Sequence, residues 1–286
     1  MIIGVAHNAI KVSDMEKALA FYCDLIGFEK AFAFSHPETD APWIVYLKIC
    51  NNAFLELFYG GNKDREKPYD ANLIGYHHWC VTVGADTMPA LAQKLFDAKL
   101  LQSPEVRTGR DGNASLWIHD PDGNALEFVL YGEQSPHMKS NKGFYDFTKK
   151  GYTGIAHLAY GTSDMDKAMD FYCNVLGFEK THSIERDGKL WLNYLRISDG
   201  SYMELYTGAT EPMNTTRGSA GHGHMCLECD DTAKTVEELR LKGAPIDVEP
   251  KQGSDLNTQA WIHDPDGNKI ELMTIHPDSE QAKASR

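Results

Sequence analysis

The chain contains a long internal repeat, and this repeat constrains its fold more than any other feature. Residues 4–30 and 154–180 are identical at 16 of 27 positions, at a constant offset of 150. The octapeptide WIHDPDGN occurs at 117–124 and again at 261–268. Agreement over this length indicates a duplication, and duplicated segments are expected to fold alike.

The duplication divides the 286 residues into two halves of ordinary domain size. We predict a first domain at 1–132, a second domain at 151–276 and a polar linker between them at 133–150. A short tail follows at 277–286.

A weaker repeat lies inside each half. The strand-like run GVAHNAIKV at 4–12 resembles GYHHWCVTV at 75–83, and the second half has the same relation. Each such run precedes a helical pattern and further strands. The first helix is predicted to start with a capping box formed by Ser13 and Glu16. The chain therefore divides into four βαβββ modules: 2–60, 75–131, 153–208 and 220–276.

Every module has a histidine in its first strand and a glutamate in its last. The pairs are His7 and Glu56, His78 and Glu127, His157 and Glu204, and His224 and Glu271. Their spacing is 49 residues in the first two modules and 47 in the last two.

These glutamates interrupt apolar strands such as FLELF and ALEFV, where an unpaired buried carboxylate is costly. A divalent cation explains all eight residues together, because it binds imidazole nitrogen and carboxylate oxygen. Duplicated structural salt bridges, or glutamates facing solvent, are the alternatives. The modules could pair as 1 with 2 and 3 with 4, which is simplest, or as 1 with 4 and 2 with 3.

Two motifs give the chain a family resemblance. The pattern H-x(6)-D-x(6)-FY followed by GF runs from His7 to Phe28 and again from His157 to Phe178, and DPDGN precedes both Glu127 and Glu271. The chain resembles the vicinal oxygen chelate superfamily, which includes glyoxalase I, extradiol dioxygenases and bleomycin resistance proteins. The resemblance implies an α+β fold in which paired βαβββ modules form two open, eight-stranded, cup-like sheets with helices outside. It also maps the superfamily's metal positions onto the eight residues above.

The metal set that this resemblance implies favours a glyoxalase-type isomerase or lyase. Such members use two histidines and two glutamates, whereas extradiol dioxygenases use two histidines and one glutamate with Fe(II) and O₂. Glu56 and Glu204 would fill positions that a dioxygenase leaves open. The alternatives are a dioxygenase and a non-catalytic small-molecule binding protein. The metal could be Ni, Co, Mn, Zn or Fe.

The implied mechanism is proton transfer next to a metal-chelated carbonyl, through an enediolate. Glu127 or Glu271 would be the catalytic base. Glutathione-dependent glyoxalases have Arg four residues after the first His and Asn four after the first Glu, where this chain has Lys11 and Gly60. Glutathione is therefore a doubtful co-substrate. Lys11 is a candidate cation for an anionic substrate, and its counterpart Gly161 suggests that the two sites differ.

Two further repeated pairs have weaker interpretations. His119 and His263 precede the DPDGN turns and could reach the rim of the cups, although a role in the turn is more common. Cys23 and Cys173 are expected to pack in helices. Cys226 and Cys229 occur as CLEC in a strand-like run, which turns the two side chains to opposite faces.

Composition limits the partners. The net charge of −13 argues against nucleic acid or an anionic membrane surface as a partner. No apolar run is long enough to span a membrane, and the N-terminus does not resemble a signal peptide. We expect a cytoplasmic monomer or homodimer with six reduced cysteines and a small-molecule substrate.

Overall fold

The computed structural model describes residues 1–36, 38–62, 72–109, 111–143, 145–212 and 219–286. The strands in these ranges are β1 Ile2–Lys11, β2 Glu29–Ser35, β3 Pro42–Cys50, β4 Ala53–Phe58, β5 Leu73–Val83, β6 Arg107–Thr108, β7 Ala114–His119, β8 Ala125–Leu130, β9 Tyr152–Gly161, β10 Glu179–Arg186, β11 Lys189–Ser198, β12 Ser201–Tyr206, β13 Glu211–Pro212, β14 Gly221–Cys229, β15 Ile246–Gln252, β16 Thr258–His263 and β17 Lys269–Thr274.

The helices are few and short. They are α1 Met15–Leu19, α2 Met88–Asp97, α3 Pro136–Ser140, α4 Met165–Met169, α5 Thr232–Leu241 and α6 Glu280–Ala284. Helices α1 and α4 continue as π-helical segments at Ala20–Ile26 and Asp170–Val175. None of the described helices has the length and apolar character that a membrane crossing needs.

The strands form two large open sheets. The first sheet has the order β15-β16-β17-β14-β1-β4-β3-β2, and we call it cup A. The second has the order β10-β11-β12-β9-β5-β8-β7-β6, with β13 added beside β5, and we call it cup B. The predicted α+β architecture of two open, cup-like sheets is confirmed.

The pairing of modules is the exchanged one. Strand β1 of the first module pairs antiparallel with β14 of the fourth, and β5 of the second pairs antiparallel with β9 of the third. The simpler pairing of 1 with 2 and 3 with 4 is therefore wrong for the sheets. Each cup takes one module from each half of the sequence.

The central strands are buried on both faces. Six consecutive residues of β1 and nine consecutive residues of β5 are buried. One face packs in the main apolar core, which includes Trp79, Tyr22 and Leu91. The other lines a cup. This double burial explains why these strands read as nearly continuous apolar runs with little alternation.

In each half of the sequence, the motif that ends in FY and GF is hydrogen-bonded to the DPDGN turn, and this contact joins the two cups. In the first half, the hydroxyl of Tyr22 donates to the carboxylate of Asp120 at 2.8 Å, and Ser13 hydrogen-bonds Asp122 through its backbone N–H and its hydroxyl. Tyr172 makes the matching bond to Asp264 at 2.7 Å. The DPDGN turn of one cup is thus fixed to the helix of the other.

The predicted capping box at the first helix is wrong. The N-cap of α1 is Asp14, whose side chain accepts from the N–H of Lys17 at 3.1 Å. Ser13 is unavailable for capping because it binds Asp122.

The segments predicted as linker and tail both contain packed helices. In the linker, α3 follows its N-cap Ser135 and buries His137 and Met138. Phe144 of the same segment lies outside the described residues. In the tail, α6 buries Gln281. The domain boundaries at 132 and 151 remain a sequence-based division, which the sheets cross.

Candidate metal centres

The histidines and glutamates that the spacing singled out meet in two sets, one in each cup. The set of cup A consists of His7, Glu56, His224 and Glu271. The set of cup B consists of His78, Glu127, His157 and Glu204. All eight side chains are buried.

In cup A the two histidines contact each other and both glutamates, and one donor atom each of His7, His224 and Glu271 lie within 4.8 Å of one another. Nε2 of His7 lies 3.1 Å from Nε2 of His224. Both nitrogens are 3.2 Å from Oε2 of Glu271 and 3.4 Å from Oε2 of Glu56. The strand order explains why the four residues meet. Strands β17, β14, β1 and β4 are neighbours in the sheet, so the ligands that they carry lie side by side on its inner face.

Cup B repeats the arrangement with slightly longer contacts to one histidine. Nε2 of His78 lies 3.0 Å from Nε2 of His157. Nε2 of His157 is 3.0 Å from Glu127 and 3.4 Å from Glu204, and Nε2 of His78 is 3.6 Å from both.

The distances from the histidines to each other and to the glutamates fit a divalent ion. One donor atom of each residue meets within 4.8 Å for His7, His224 and Glu271 in cup A and for His78, His157 and Glu204 in cup B. Donor atoms bonded to one ion at about 2.1 Å lie about 3.0 to 3.4 Å apart, depending on the geometry. Two neutral imidazoles at this distance can share one N–H···N hydrogen bond, and a divalent ion would replace that bond by binding both nitrogens. Oε2 of Glu56, which faces both histidines, is buried and has no hydrogen-bond partner among the described atoms. The donor set therefore suits a borderline divalent metal.

Burial and neighbouring charge shift the pKa values of the last-strand glutamates in opposite directions. Burial alone would raise the pKa of Glu271, but hydrogen bonds and charge from His224 and His7 hold that pKa well below its usual range. The pKa of Glu127 is lowered in the same way by His157 and His78. Both carboxyl groups therefore stay ionised and available as ligands or bases.

A tyrosine fixes the fourth ligand in each cup. Tyr46 donates its hydroxyl to Oε1 of Glu56 at 2.6 Å, which turns Oε2 toward the histidines. In cup B the hydroxyl of Tyr206 donates to Glu204 at 2.8 Å, and Tyr194 lies opposite Glu204 in the pairing of β11 with β12. Tyr46 and Tyr194 were not predicted as site residues, although each lies ten residues before its glutamate and the spacing repeats.

We call the two sets of histidines and glutamates the metal sets. The metal set of cup A opens into a cavity of about 280 Å³. Its wall is mostly aromatic, with a few polar groups, as is typical of small-molecule sites. The lining residues include Phe34, Trp43, Phe58, Trp261, Asp255 and Gln259. Lys11, the predicted cation for an anionic substrate, does not line this described cavity.

A second cavity of about 620 Å³ shares Trp261 with the first and lies farther along the inner face of cup A. His263 lines it, and its Nδ1 is hydrogen-bonded to both oxygens of Asp247, at 2.9 and 2.8 Å. His263 therefore lines a cavity beside Trp261, and the interpretation that it acts at the rim of the cup stays a prediction. The repeated His119 is exposed in cup B, where Ser103 stands in place of Asp247.

Cup B differs from cup A near the metal set. The buried ring of His137 from α3 packs against His182 and Tyr194 at 4.7 and 4.5 Å between centroids. Tyr202 donates to the carbonyl oxygen of His137 at 2.5 Å, an anchor that its counterpart Phe54 cannot make. The two sites thus have different surroundings.

The cysteines are all free. Cys226 lies beside the metal set and Cys229 in the main core, which agrees with the predicted opposite faces. Cys80 is grouped with Glu127 and His157, with one donor atom of each within 4.8 Å of the others. Cys80 was not predicted as a site residue, although it stands two residues after His78 on the same face.

Comparison with known families gives a match over most of the chain. The model of the Glyoxalase/Bleomycin resistance protein/Dioxygenase superfamily matches residues 4–128 and 154–272. Glyoxalase I of Saccharomyces cerevisiae is 24% identical, covering 93% of this chain and 91% of its own length. The lactoylglutathione lyase of Schizosaccharomyces pombe is 21% identical, covering 93% and 95%. These relatives support an enzyme of the lyase type.

Solved structures share the fold. Glyoxalase I from Zea mays aligns with a TM-score of 0.67 at 18% identity, over 95% of this chain and 92% of that one. A putative dioxygenase from Bacillus subtilis aligns with a TM-score of 0.71 at 15% identity, over 100% and 90%. The fold is therefore common to both kinds of protein and does not distinguish between their chemistries.

Proposed function

The chain belongs to the Glyoxalase/Bleomycin resistance protein/Dioxygenase superfamily, and on that premise we propose that it is a divalent-metal-dependent lyase or isomerase of the glyoxalase type. It would act on a small oxygenated substrate by moving a proton between carbons next to a carbonyl. The metal would be held by His7, Glu56, His224 and Glu271 in cup A, and by His78, Glu127, His157 and Glu204 in cup B.

The observation that carries the proposal is the second glutamate in each set. Glu56 has one oxygen tied to Tyr46 and the other 3.4 Å from both histidines of cup A. A site for Fe(II) and O₂ needs an open facial triad of two histidines and one carboxylate. A fourth protein ligand at Glu56 favours substrate chelation over oxygen activation.

A bound divalent ion would supply Lewis acidity toward a carbonyl and a neighbouring oxygen. The protein would supply the base. Glu271 is ionised and lies 3.2 Å from both histidines, at the edge of the cavity of about 280 Å³. Its carboxylate would take the proton from the carbon next to the carbonyl and return it to the adjacent carbon. Glu127 would do the same in cup B.

The aromatic wall of cup A suggests the kind of substrate. Trp43, Phe58 and Trp261 surround the metal set and would exclude water from the reacting carbons. The relative from Schizosaccharomyces pombe is named a lactoylglutathione lyase, which makes the hemithioacetal of glutathione the first substrate to test. Because Lys11 and Gly60 replace the Arg and Asn of glutathione-dependent members, we do not restrict the thiol to glutathione.

The test is turnover by the metal-loaded protein without O₂. Hemithioacetals of methylglyoxal with glutathione and with 2-mercaptoethanol would be supplied, and NMR in D₂O would follow hydrogen transfer between the two carbons. We expect transfer with at least one of them, and its loss in the Glu127→Gln/Glu271→Gln variant. The matched control is Glu105→Gln/Glu249→Gln, which changes two exposed glutamates.

Two results would contradict the proposal. O₂ uptake with a yellow ring-fission product from catechol would make the protein an extradiol dioxygenase. Tight binding of small molecules by protein that contains no metal would make it a binding protein.

A further inference from the structure

Each cup contains a buried cysteine between two of the proposed metal ligands. Cys226 lies opposite His7 in the pairing of β1 with β14, and beside Glu271 in the pairing of β14 with β17. Cup B repeats this, with Cys80 opposite His157 and beside Glu127. The two cysteines follow the strand histidines His224 and His78 by two residues, and residues two apart share a face of a strand.

The sulfur atoms contact these ligands. Sγ of Cys80 and a donor atom each of Glu127 and His157 all lie within 4.8 Å of one another. In cup A, Cys226 is the direct cross-strand partner of both His7 and Glu271, and its thiol interacts with both side chains. Both cysteines have no exposed surface. Sγ of Cys80 also lies 3.9 Å from the carbonyl oxygen of Val81, which is a second acceptor within reach of its S–H.

We propose that Cys226 and Cys80 are positioning residues of the two metal sites, each donating its S–H to the last-strand glutamate of its cup. This inference rests on the proposed metal sites. An ionised carboxylate has about four acceptor positions, and a metal ion occupies only part of them. The thiol occupies another and so fixes the rotation of the carboxyl group of Glu271 or Glu127.

A thiol suits this place for a physical reason. The S–H group of cysteine is a weak hydrogen-bond donor. A weak bond orients the carboxylate and yet lets it move toward a substrate proton. The other four cysteines have different places: Cys23 and Cys173 are half-buried in the π-helical segments, Cys50 ends β3, and Cys229 packs in the main core.

The inference predicts that metal affinity depends on the donor. Loss of an outer hydrogen-bond partner of a metal ligand typically weakens metal binding by about 10- to 100-fold. Cys80→Ala/Cys226→Ala removes the donor from both cups, whereas Cys80→Ser/Cys226→Ser keeps a hydroxyl donor at the same position. Serine should therefore restore most of the affinity.

The experiment measures Zn²⁺ and Co²⁺ affinity of the full-length protein by competition with a chromophoric chelator. Cys23→Ala/Cys173→Ala is the matched control, because it also removes a repeated pair of thiols, but from the π-helical segments and not from the strands that carry the metal sets. Cys229→Ala controls for loss of a buried thiol on the same strand as Cys226. Thermal melting of each metal-free variant verifies the fold, and the serine variant remains informative if the alanine variant is unstable.

We expect metal binding about 10-fold weaker or more in the alanine variant, close to wild type in the serine variant and unchanged in both controls. Equal affinity in the alanine variant would overturn the inference. A thiolate-to-cobalt charge-transfer band in the Co²⁺-loaded wild type would also overturn it, because the sulfur would then be a direct ligand. Failure of the proposed function looks different, since the wild type itself would bind no metal.

Discussion

Nε2 of His7 lies 3.1 Å from Nε2 of His224, although 217 residues separate them along the chain. His78 and His157 meet in the same way, at 3.0 Å. Each proposed metal site therefore takes one histidine from each half of the duplicated sequence. A site cannot be complete in either half alone.

The exchanged pairing predicts how histidine substitutions combine. His7→Ala and His224→Ala should each remove one metal per chain, and the two together should remove no more, because both residues serve cup A. His7→Ala/His78→Ala should remove both metals. Elemental analysis of the purified variants measures this, with His119→Ala as an exposed-histidine control. Retention of one metal by His7→Ala/His78→Ala would contradict the pairing.

The role of the last-strand glutamates as bases predicts a kinetic effect. Glu127→Gln/Glu271→Gln keeps size and an amide oxygen but removes the base, so kcat should fall by about 100-fold or more. Initial rates on the accepted hemithioacetal measure this, alongside metal content. Unchanged kcat in a metal-containing variant would show that another group moves the proton.

His137 predicts an acid sensitivity of cup B. Burial, together with the charges of His182 and His157, lowers the pKa of His137 to about 2. In the unfolded chain the pKa of a histidine is about 6.5. The folded state favours the neutral ring, so its stabilisation is present above about pH 6.5 and is lost as pH falls toward 2.

The variant His137→Gln removes this titration, and cup A has Gln281 at the corresponding position, also beside an asparagine. Between pH 7 and 5 the wild type should lose up to about 2 kcal/mol more unfolding free energy than the variant. Urea unfolding at both pH values measures the difference. An equal loss in both proteins would mean that His137 does not resist protonation.

The bond between Tyr22 and Asp120 predicts a stability effect. Tyr22→Phe leaves a buried carboxylate without one of its donors, which should cost about 1 to 3 kcal/mol of unfolding free energy. Tyr59→Phe removes an exposed hydroxyl and is the control. If urea unfolding gives the same stability for both variants, the bond does not hold the turn to the helix.

Much of the fold could be predicted from the sequence, because the duplication exposes it. The sequence pattern of a single module would leave its strands ambiguous. Four copies, each with a histidine and a glutamate at repeated spacing, define the strand order within a module. They also define the strand face that carries the ligands. His7 and Glu56 could be assigned in this way without a structure, since a strand places every second residue on one face.

The pairing of modules could not be predicted, for a physical reason. Strand β1 could pair with β5 or with β14, and both partners carry a histidine in an apolar run that fits the same edge. Hydrophobic pattern fixes register but does not choose between two similar partners. The choice depends on contacts between distant segments, such as Tyr22 with Asp120.

The surroundings of the sites were predicted less well than the ligands. Tyr46 was missed because tyrosine is ordinary in a buried strand, and only its repeated distance from the glutamate distinguishes it. His137 was missed because a polar segment rich in serine and lysine is typical of a linker, and its burial comes from Tyr202 and the rings of cup B. Ser13 was assigned to a cap because a competing partner 109 residues away is invisible in local sequence.

The most direct test of two metal sites built from histidine and glutamate is the metal content of the purified protein, compared with that of Glu56→Ala/Glu204→Ala. The structure predicts about two divalent ions per chain in the wild type and a large loss in the variant, because one of four ligands is removed from each set. A wild-type protein without stoichiometric metal, even after exposure to Zn²⁺, Co²⁺, Ni²⁺, Mn²⁺ and Fe²⁺, would contradict the account.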